Sequence, residues 1–223
     1  MAYPVKSNGH TIYLHMEGSG KPLLVINGLT RPLSSWSKFT RAMNYGRTVI
    51  SFDAPGVGQS PTPMFPLSIS ALASMVADIL DKCGLEKCDI IGFSHGGAVA
   101  QQFAYQYPHR VDRLILASTL CGIGHAPGNP VALYSMREPK TSVLGALWRL
   151  LAISSWSSVP FLTKIKAPTL VICGINDNIA PVSNSRYLAN RIPNATLVII
   201  NAKHDLQDSD YEQFAAQVDA FLT

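Results

Sequence analysis

The sequence predicts an α/β protein with a mostly parallel central sheet and helices on both faces. Apolar runs typical of buried strands alternate along the chain with helix-like segments. The length of 223 residues suits one sizeable core, and it is short for two ordinary domains. Hydrophobic residues make up 47% of the chain and charged residues 14%, which indicates a packed globular protein rather than a disordered one.

The predicted strands are short and rich in Val, Ile and Leu, as expected for strands buried on both faces of a parallel sheet. Gly84 follows the first helix-like segment as a C-cap. Ser209 and Glu212 fit a capping box at the start of the last helix. The strand-like runs are 11–16, 23–27, 48–52, 89–93, 113–118, 169–174 and 196–200, and the helix-like segments are 68–83, 96–107, 183–191 and 209–222.

One interval interrupts this alternation. Between about residues 121 and 161 no clear strand is visible; a Gly/Pro-rich loop at 122–130 leads into an apolar, aromatic stretch at 141–156. We interpret residues 121–161 as a short helical cap inserted into a core formed by residues 1–120 and 162–223. The alternative is an ordinary crossover helix with a long loop.

Composition excludes several classes of partner. The net charge is +4 and the basic residues are scattered, so we expect no nucleic-acid partner. No apolar stretch approaches the roughly 20 residues needed to cross a bilayer. The first residues lack the apolar segment of a secretion signal, and we therefore expect a cytoplasmic protein. The sequence leaves the oligomeric state open.

Four cysteines are present, at positions 83, 88, 121 and 173. They form no Cys-x-x-Cys pair, and no histidine stands at the spacing of a metal finger. We expect reduced, mostly buried thiols. The sequence predicts neither a bound metal nor a cofactor.

The segment Gly92-Phe93-Ser94-His95-Gly96 carries the strongest chemical signal. It follows an apolar strand and precedes a helix, which is the setting in which Gly-x-Ser-x-Gly forms a nucleophile elbow. Such a turn requires small residues on either side of the serine. The helix N-terminus also favours negative charge that develops beside the serine. Ser94 is therefore the predicted nucleophile.

A serine nucleophile needs a histidine base and an acid that orients the histidine, in the chain order Ser, acid, His for this strand–turn–helix arrangement. His204 follows the last predicted strand and is the predicted base. Asp177 lies just past the preceding strand and is the predicted acid. We interpret Asp205, adjacent to His204, as a surface charge.

The tetrahedral intermediate of acyl transfer needs two N–H donors directed at its oxyanion. One donor is expected from the backbone of His95, the residue after the nucleophile. The other is expected from Leu29, because Gly28 lets the loop after the strand 23–27 turn inward. A plain strand-ending turn is the alternative for this loop.

Together these segments resemble the α/β-hydrolase superfamily along nearly the whole chain. Within that superfamily the chain is similar to intracellular poly(3-hydroxyalkanoate) depolymerases and related esterases, which also tend to show Asn-Gly in the oxyanion loop. The cap is shorter than those relatives usually carry. The matching marks are Asn27-Gly28-Leu29, Asp53-x-Pro-Gly-x-Gly-x-Ser60, Gly92-x-Ser94-x-Gly96, Gly174-x-x-Asp177-x-x-x-Pro181 and His204.

The resemblance implies a serine carboxylic-ester hydrolase that acts through an acyl-enzyme. Small or oligomeric esters with short-to-medium acyl chains, including 3-hydroxyacyl groups, are the expected substrates. Perhydrolysis, C–C bond hydrolysis or acyl transfer on the same residues are alternatives, as is a non-catalytic ligand-binding protein on this scaffold. Apolar residues expected near the substrate are Trp36, Trp148, Trp156 and Ile179.

Overall fold

A computed structural model describes residues 1–122 and 141–223. These residues form one sheet of eight strands, with helices packed on its two faces. The strands are β1 (Tyr3–Ser7), β2 (His10–Gly18), β3 (Lys21–Ile26), β4 (Arg47–Asp53), β5 (Cys88–Phe93), β6 (Val111–Ala117), β7 (Thr169–Gly174) and β8 (Ala195–Ile200). The helices are α1 (Ser37–Met43), α2 (Ile69–Lys82), α3 (His95–Gln106), α4 (Val143–Ser154), α5 (Val182–Arg191) and α6 (Tyr211–Leu222).

The strand order across the sheet is β1-β2-β4-β3-β5-β6-β7-β8. Strands β1 and β2 are antiparallel to their neighbours, and all other pairs are parallel, which confirms the mostly parallel sheet. After β3 the chain places β4 on one side and β5 on the other. Open α/β sheets bind ligands at such a switch point, outside the carboxyl ends of the strands.

Two apolar layers enclose the sheet because side chains alternate along each strand. In β5, Ile90 packs into the layer under α2, α3 and α5. Ile91 and Phe93 point into the opposite layer, together with residues of α1 and α6. Every residue of β5 is buried, so the position of its carboxyl end is fixed by packing on both faces.

Two elements lie outside the predicted pattern. Strand β1 is an edge strand with mostly exposed or half-buried residues, and its pairing with β2 rather than its own composition makes it a strand. Helix α1 is only seven residues long, too short for a clear helical period. At the end of α2, Gly84 adopts a φ of 68°, which confirms it as the residue that closes the helix.

The predicted capping box at Ser209 is wrong. Ser209 ends a separate helical turn, Leu206–Ser209, and its hydroxyl donates to the Asp205 carbonyl and to the Asp210 carboxylate. Helix α6 begins after Asp210, with no hydrogen bond from that side chain to the first turn. The extra turn shifts the helix start by two residues, a boundary that local sequence does not determine.

The predicted cap contains α4, which follows Thr141 and Ser142. The Ser142 side chain caps α4 by accepting from the Gly145 N–H at 3.0 Å. Most of the Gly/Pro-rich loop at 122–130 lies outside the described residues, and the division into core and cap stays a prediction. Within the described part of the chain, no helix has the length and apolar character required to span a membrane.

Candidate active site

Ser94 sits at the sharp turn between β5 and α3. Its backbone has a φ of 53° and a ψ of −120°, a strained conformation for a residue with a side chain. Two glycines permit it: a Cβ at Gly92 would lie 2.5 Å from the Ala100 Cβ, and a Cβ at Gly96 would lie 2.0 Å from the Ile26 carbonyl oxygen. The structure therefore shows why the turn needs small residues on both sides.

Hydrogen bonds fix the Ser94 backbone from both directions. Its N–H donates to the Ala117 carbonyl at 2.9 Å, so the turn is tied to the end of β6. Its carbonyl accepts from the Gly97 N–H at 2.9 Å and from the Thr119 hydroxyl at 2.6 Å. The strained turn is consequently held by its surroundings, and the side-chain hydroxyl is left for chemistry.

His204 lies on the loop after β8 and joins the serine to the acid. Its Nε2 is 3.1 Å from the Ser94 Oγ, and its Nδ1 is 2.8 Å from an Asp177 carboxylate oxygen. The ring packs against Phe93 with 5.1 Å between ring centroids. The structure thus brings together the three residues that the sequence predicts as nucleophile, base and acid.

Asp177 is oriented by the loop after β7. Its second carboxylate oxygen accepts backbone N–H groups from Ile179 at 2.9 Å and from Ala180 at 2.8 Å. The Asp177 side chain has no solvent exposure. This arrangement leaves one carboxylate oxygen to accept from the His204 Nδ1, and it orients the ring so that Nε2 faces the serine.

The expected oxyanion donors flank the serine. The loop bearing Leu29 passes over the nucleophile so closely that a Cβ at Gly28 would lie 3.0 Å from the Phe93 ring and 3.5 Å from the Ser94 Cβ. His95 is the first residue of α3, so its N–H is one of the unpaired amides of a helix N-terminus. Among the described residues neither amide N–H has a hydrogen-bond acceptor.

A recess opens above the serine. At its edge Arg31 forms an ion pair with Asp205 at 2.5 Å, so Asp205 is a partly buried paired group and the interpretation as a surface charge is wrong. The pair links the oxyanion loop to the loop bearing His204. The recess is lined by Gly28, Leu29, Thr30, Arg31, Phe93, Ser94, His204 and Asp205.

The structure places two of the expected substrate-binding tryptophans in the core. Trp36 ends a 3₁₀ turn, is fully buried, and contacts Phe93 edge-on at 6.0 Å on the side of the sheet that carries α1 and α6. Trp156 is nearly buried, and its Nε1–H donates to Gln102 at 2.7 Å. Both rings fill apolar layers and neither borders the recess, because their backbones turn them inward.

The other two expected substrate-binding residues also lie away from the recess. Trp148, on α4, is half-buried and donates from Nε1 to the Pro63 carbonyl at 3.2 Å. Ile179 is buried, and its backbone N–H holds Asp177. Aromatic and apolar character alone did not distinguish a residue that packs the core from one that contacts substrate.

Arg149 was missed by sequence reasoning and lies directly behind the oxyanion loop. It is 5% exposed, and its Nη2 donates to the Gly28 carbonyl at 3.1 Å and contacts the His95 Nδ1 at 3.0 Å. Burial lowers the pKa of Arg149 to about 9. Burial and the neighbouring cation hold the pKa of His95 well below its usual range, so that ring is neutral. The signal in the sequence is a lone arginine within an apolar helix.

No group of three or more His, Cys, Asp or Glu side chains suited to a metal ion occurs within residues 1–122 and 141–223. The four cysteines are unpaired, as the sequence predicts. Burial raises the pKa of Cys121 to about 11 and that of Cys88 to about 12, so neither thiol is a reactive thiolate near neutral pH.

Comparison with known proteins identifies the family. Residues 21–135 and 129–211 match the family described as alpha/beta hydrolase fold. The chain belongs to this family. A poly(3-hydroxyalkanoate) depolymerase from Ectopseudomonas oleovorans is 36% identical over 219 residues, which cover 82% of this chain and 77% of the relative.

The chain is also similar to two other hydrolases. A 2-hydroxy-6-oxononadienedioate/2-hydroxy-6-oxononatrienedioate hydrolase from Comamonas testosteroni is 26% identical over an alignment of 234 positions, gaps included. The alignment covers 83% of this chain and 82% of the relative. The crystal structure of a hydrolase from Pseudomonas aeruginosa PA01 has a TM-score of 0.89 and 25% identity, and it covers 99% of this chain and 98% of that one. This member of the alpha/beta hydrolase family is a hydrolase, and it is similar to depolymerases.

Proposed function

We propose that this hydrolase cleaves carboxylic esters by a serine mechanism. The observation that carries the proposal is the continuous hydrogen-bonded chain from the Asp177 carboxylate through both nitrogens of His204 to the Ser94 hydroxyl. A buried acid, an imidazole with a fixed tautomer and a hydroxyl on a strained turn are the parts that activate serine.

In the proposed first step, the Ser94 Oγ attacks the ester carbonyl carbon while His204 Nε2 takes the hydroxyl proton. The carbonyl oxygen becomes an oxyanion facing the N–H groups of Leu29 and His95. Collapse of this intermediate breaks the bond to the leaving alcohol, which receives the proton from His204. The product of this step is an acyl group bound to Ser94.

In the second step a water molecule attacks the acyl-enzyme. His204 removes a proton from the water, and the same two N–H groups face the second oxyanion. Breaking the bond to Ser94 releases the carboxylic acid and returns the proton to the serine oxygen. Neither step consumes or releases a proton at the enzyme overall, because His204 returns each proton that it takes. Both steps use only the residues assembled at the carboxyl end of the sheet.

The substrate class rests on two observations. The apolar side chains of Leu29 and Phe93 line the recess beside Ser94, which suits an apolar acyl group. The depolymerase relative acts, by its name, on a polyester of 3-hydroxyacids. We therefore propose esters of short-to-medium-chain acids, 3-hydroxy acids among them, as small molecules or oligomers.

The test is a series of p-nitrophenyl esters of increasing acyl length, followed by 3-hydroxybutyrate oligomers. We expect turnover by the parent, highest for the short acyl chains, and a loss of at least about 10³-fold in kcat in Ser94→Ala. Ser154→Ala, at an exposed serine of α4, is the matched control and keeps parent activity. Absence of ester turnover by the parent, or full activity in Ser94→Ala, would refute the proposal.

C–C bond hydrolysis is the second candidate, because the name of the Comamonas relative describes a keto diacid rather than an ester. The same serine could attack a ketone carbonyl, with a carbon leaving group protonated in place of an alcohol. Competition between an ester and a vinylogous 1,5-diketone acid separates the two activities. Faster turnover of the ketone, with Ser94→Ala inactive on both, would favour this candidate.

A further inference from the structure

Arg149 contacts residues of the proposed active site without lining the recess. It projects from α4, and its Nη2 contacts three acceptors: the Asn27 carbonyl at 3.4 Å, the Gly28 carbonyl at 3.1 Å and the His95 Nδ1 at 3.0 Å. These groups belong to the two segments that carry the expected oxyanion donors. One side chain therefore joins both halves of that site.

The contact with Gly28 fixes the direction of the Leu29 amide. The carbonyl of Gly28 and the N–H of Leu29 belong to one trans peptide group, in which they point in opposite directions. A guanidinium that binds the oxygen on the side of α4 consequently directs the N–H away from α4. A cation on the carbonyl also polarises the peptide and makes its N–H a stronger donor.

The contact with His95 fixes the second segment. Because the guanidinium only donates, the His95 Nδ1 must accept, and the neutral ring carries its proton on Nε2. The ring is 4% exposed and lies in the same buried contact as the Gly28 carbonyl. The side chain of His95 is therefore tied to the oxyanion loop through Arg149, and its backbone N–H begins α3 beside Ser94.

Stability alone does not account for a guanidinium in this position. Among the described residues Arg149 has no carboxylate partner, and its Nε and Nη1 have no acceptor. A buried charge without a counter-ion and with unmet donors is costly, and an apolar residue of similar volume would avoid that cost. The lowered pKa of Arg149, caused by burial, reflects the same cost.

We propose that Arg149 is a positioning residue that holds the two donors of the oxyanion hole toward the substrate carbonyl. The proposal rests on the function proposed above and adds to it a role for helix α4. Arg149 acts through the Gly28–Leu29 peptide and through His95, and it does not touch the reacting atoms. Its loss releases the peptide to rotate, so the oxyanion loses one donor in part of the population.

The test compares Arg149→Met and Arg149→Lys with the parent, using p-nitrophenyl butyrate and a trifluoromethyl ketone that adds to Ser94 as an oxyanion. Removing one oxyanion-hole donor costs about 10²–10³ in kcat, and partial misorientation should cost about 10–10². We expect this loss in kcat for Arg149→Met with little change in KM. We expect an equal loss of affinity for the ketone, and partial recovery in Arg149→Lys.

Ser142→Ala is the matched control for disturbance of the helix. It removes the side-chain cap that accepts from the Gly145 N–H at the start of α4 but leaves the Arg149 contacts in place, so kcat should stay near the parent value. A loss in Ser142→Ala equal to that in Arg149→Met would overturn the proposal, since helix docking would then explain both. If Arg149→Met is too unstable to purify, Arg149→Gln replaces it, and parent-like kcat in that variant overturns the proposal.

The outcome is separable from that of the proposed function. If Ser94→Ala is inactive and Arg149→Met is fully active, the proposed ester hydrolysis is supported and the positioning role of Arg149 is refuted. If the parent hydrolyses no ester, a crystal structure of Arg149→Met still decides the question. A rotated Gly28–Leu29 peptide supports the positioning role, and a peptide in its present orientation overturns it.

Discussion

Two buried arginines lie at opposite ends of the sheet, and they differ in the groups that bind their guanidinium nitrogens. At the amino end, Arg47 begins β4, pairs with the buried carboxylate of Asp89, and donates to the Leu222 carbonyl at the end of α6 at 2.7 Å. At the carboxyl end, Arg149 contacts backbone carbonyls and a neutral imidazole, and two of its nitrogens have no acceptor within residues 1–122 and 141–223. Both arginines are about equally buried.

We interpret the amino end as a stabilising ion pair and the carboxyl end as part of the proposed active site. Among the described residues, the strained Ser94 turn and the unmet donors of Arg149 lie at the carboxyl end. Strained backbone and buried polar groups without hydrogen bonds are expected at functional sites, and the rest of the fold offsets their cost in stability. Substitutions at the carboxyl end should therefore reduce activity more than stability, and substitutions at the amino end should do the reverse.

The largest expected effect is on activity, in Asp177→Asn. The amide can accept from Ile179 and Ala180, but it no longer fixes the His204 tautomer or stabilises the imidazolium. We expect kcat for ester hydrolysis to fall by about 10³–10⁴-fold, with a nearly unchanged free energy of unfolding. Asp208→Asn, at an exposed carboxylate that pairs with Lys38, is the control and should leave both quantities as they are.

Steady-state kinetics and urea denaturation measure these two quantities on the same samples. Asp177→Asn could instead lose several kcal/mol of stability and keep its activity at low temperature. That result would mean that Asp177 serves stability, as Asp89 is expected to do at the amino end. It would also remove Asp177 from the proposed mechanism.

The next effect is on stability, in Asp89→Asn. Burial raises the pKa of Asp89, and the hydrogen bond and charge of Arg47 oppose part of that rise. Removing the charge leaves Arg47 buried without a counter-ion, which costs on the order of 3–5 kcal/mol. The kcat measured well below the new melting temperature should equal that of the parent.

The double variant Arg47→Met/Asp89→Leu sharpens this test. If desolvation dominates the pair, two apolar residues should recover most of the stability lost in Asp89→Asn. A double variant that is less stable than Asp89→Asn would mean that the ion pair itself, with its bond to Leu222, stabilises the amino end.

The smallest effect is expected for Asp205→Asn, at the rim of the recess. The ion pair with Arg31 is partly exposed, so its loss should change the free energy of unfolding by no more than about 1 kcal/mol. Because the pair links the two loops that flank the serine, we expect a change of a few-fold in kcat/KM. Measuring kcat/KM at low and high salt should show that the difference narrows as salt screens the pair.

A drop beyond about 100-fold in Asp205→Asn, which is 2.7 kcal/mol or more of barrier, would give Asp205 a direct part in orienting His204. That result would contradict the assignment of Asp177 as the acid. Asp208→Asn serves again as the control, since its carboxylate is more exposed and pairs only with a flexible lysine.

Local sequence was a good guide to which three polar residues meet at the carboxyl end of the sheet. The order Ser94, Asp177, His204 and the strand preceding each residue were enough to predict that they meet, since the carboxyl ends of neighbouring parallel strands share one edge. The glycines at 92 and 96 have the steric reason that the motif implies. A short motif was enough to indicate these features because each lies at the carboxyl end of a strand, although contacts with neighbouring segments hold the turn in place.

Local sequence was a poor guide to which apolar and charged side chains surround the site. Trp36 was expected at the substrate, but it is fully buried in the core. Arg149 was not expected at the site, but it contacts the Gly28 carbonyl in the oxyanion loop. Edge strand β1 and the short α1 were likewise missed, because pairing with β2 and packing against α6, rather than their own sequence patterns, stabilise them.

The sequence by itself determined the alternation of strands and helices, the nucleophile turn, and the identity and order of its two partners. Only the tertiary structure decided which residues line the recess, that Asp205 pairs with Arg31, and that a helix of the predicted cap places a cation behind the oxyanion loop. The physical reason is range. Backbone geometry and periodicity act within a few residues, whereas burial and ion pairing depend on contacts between segments more than a hundred residues apart.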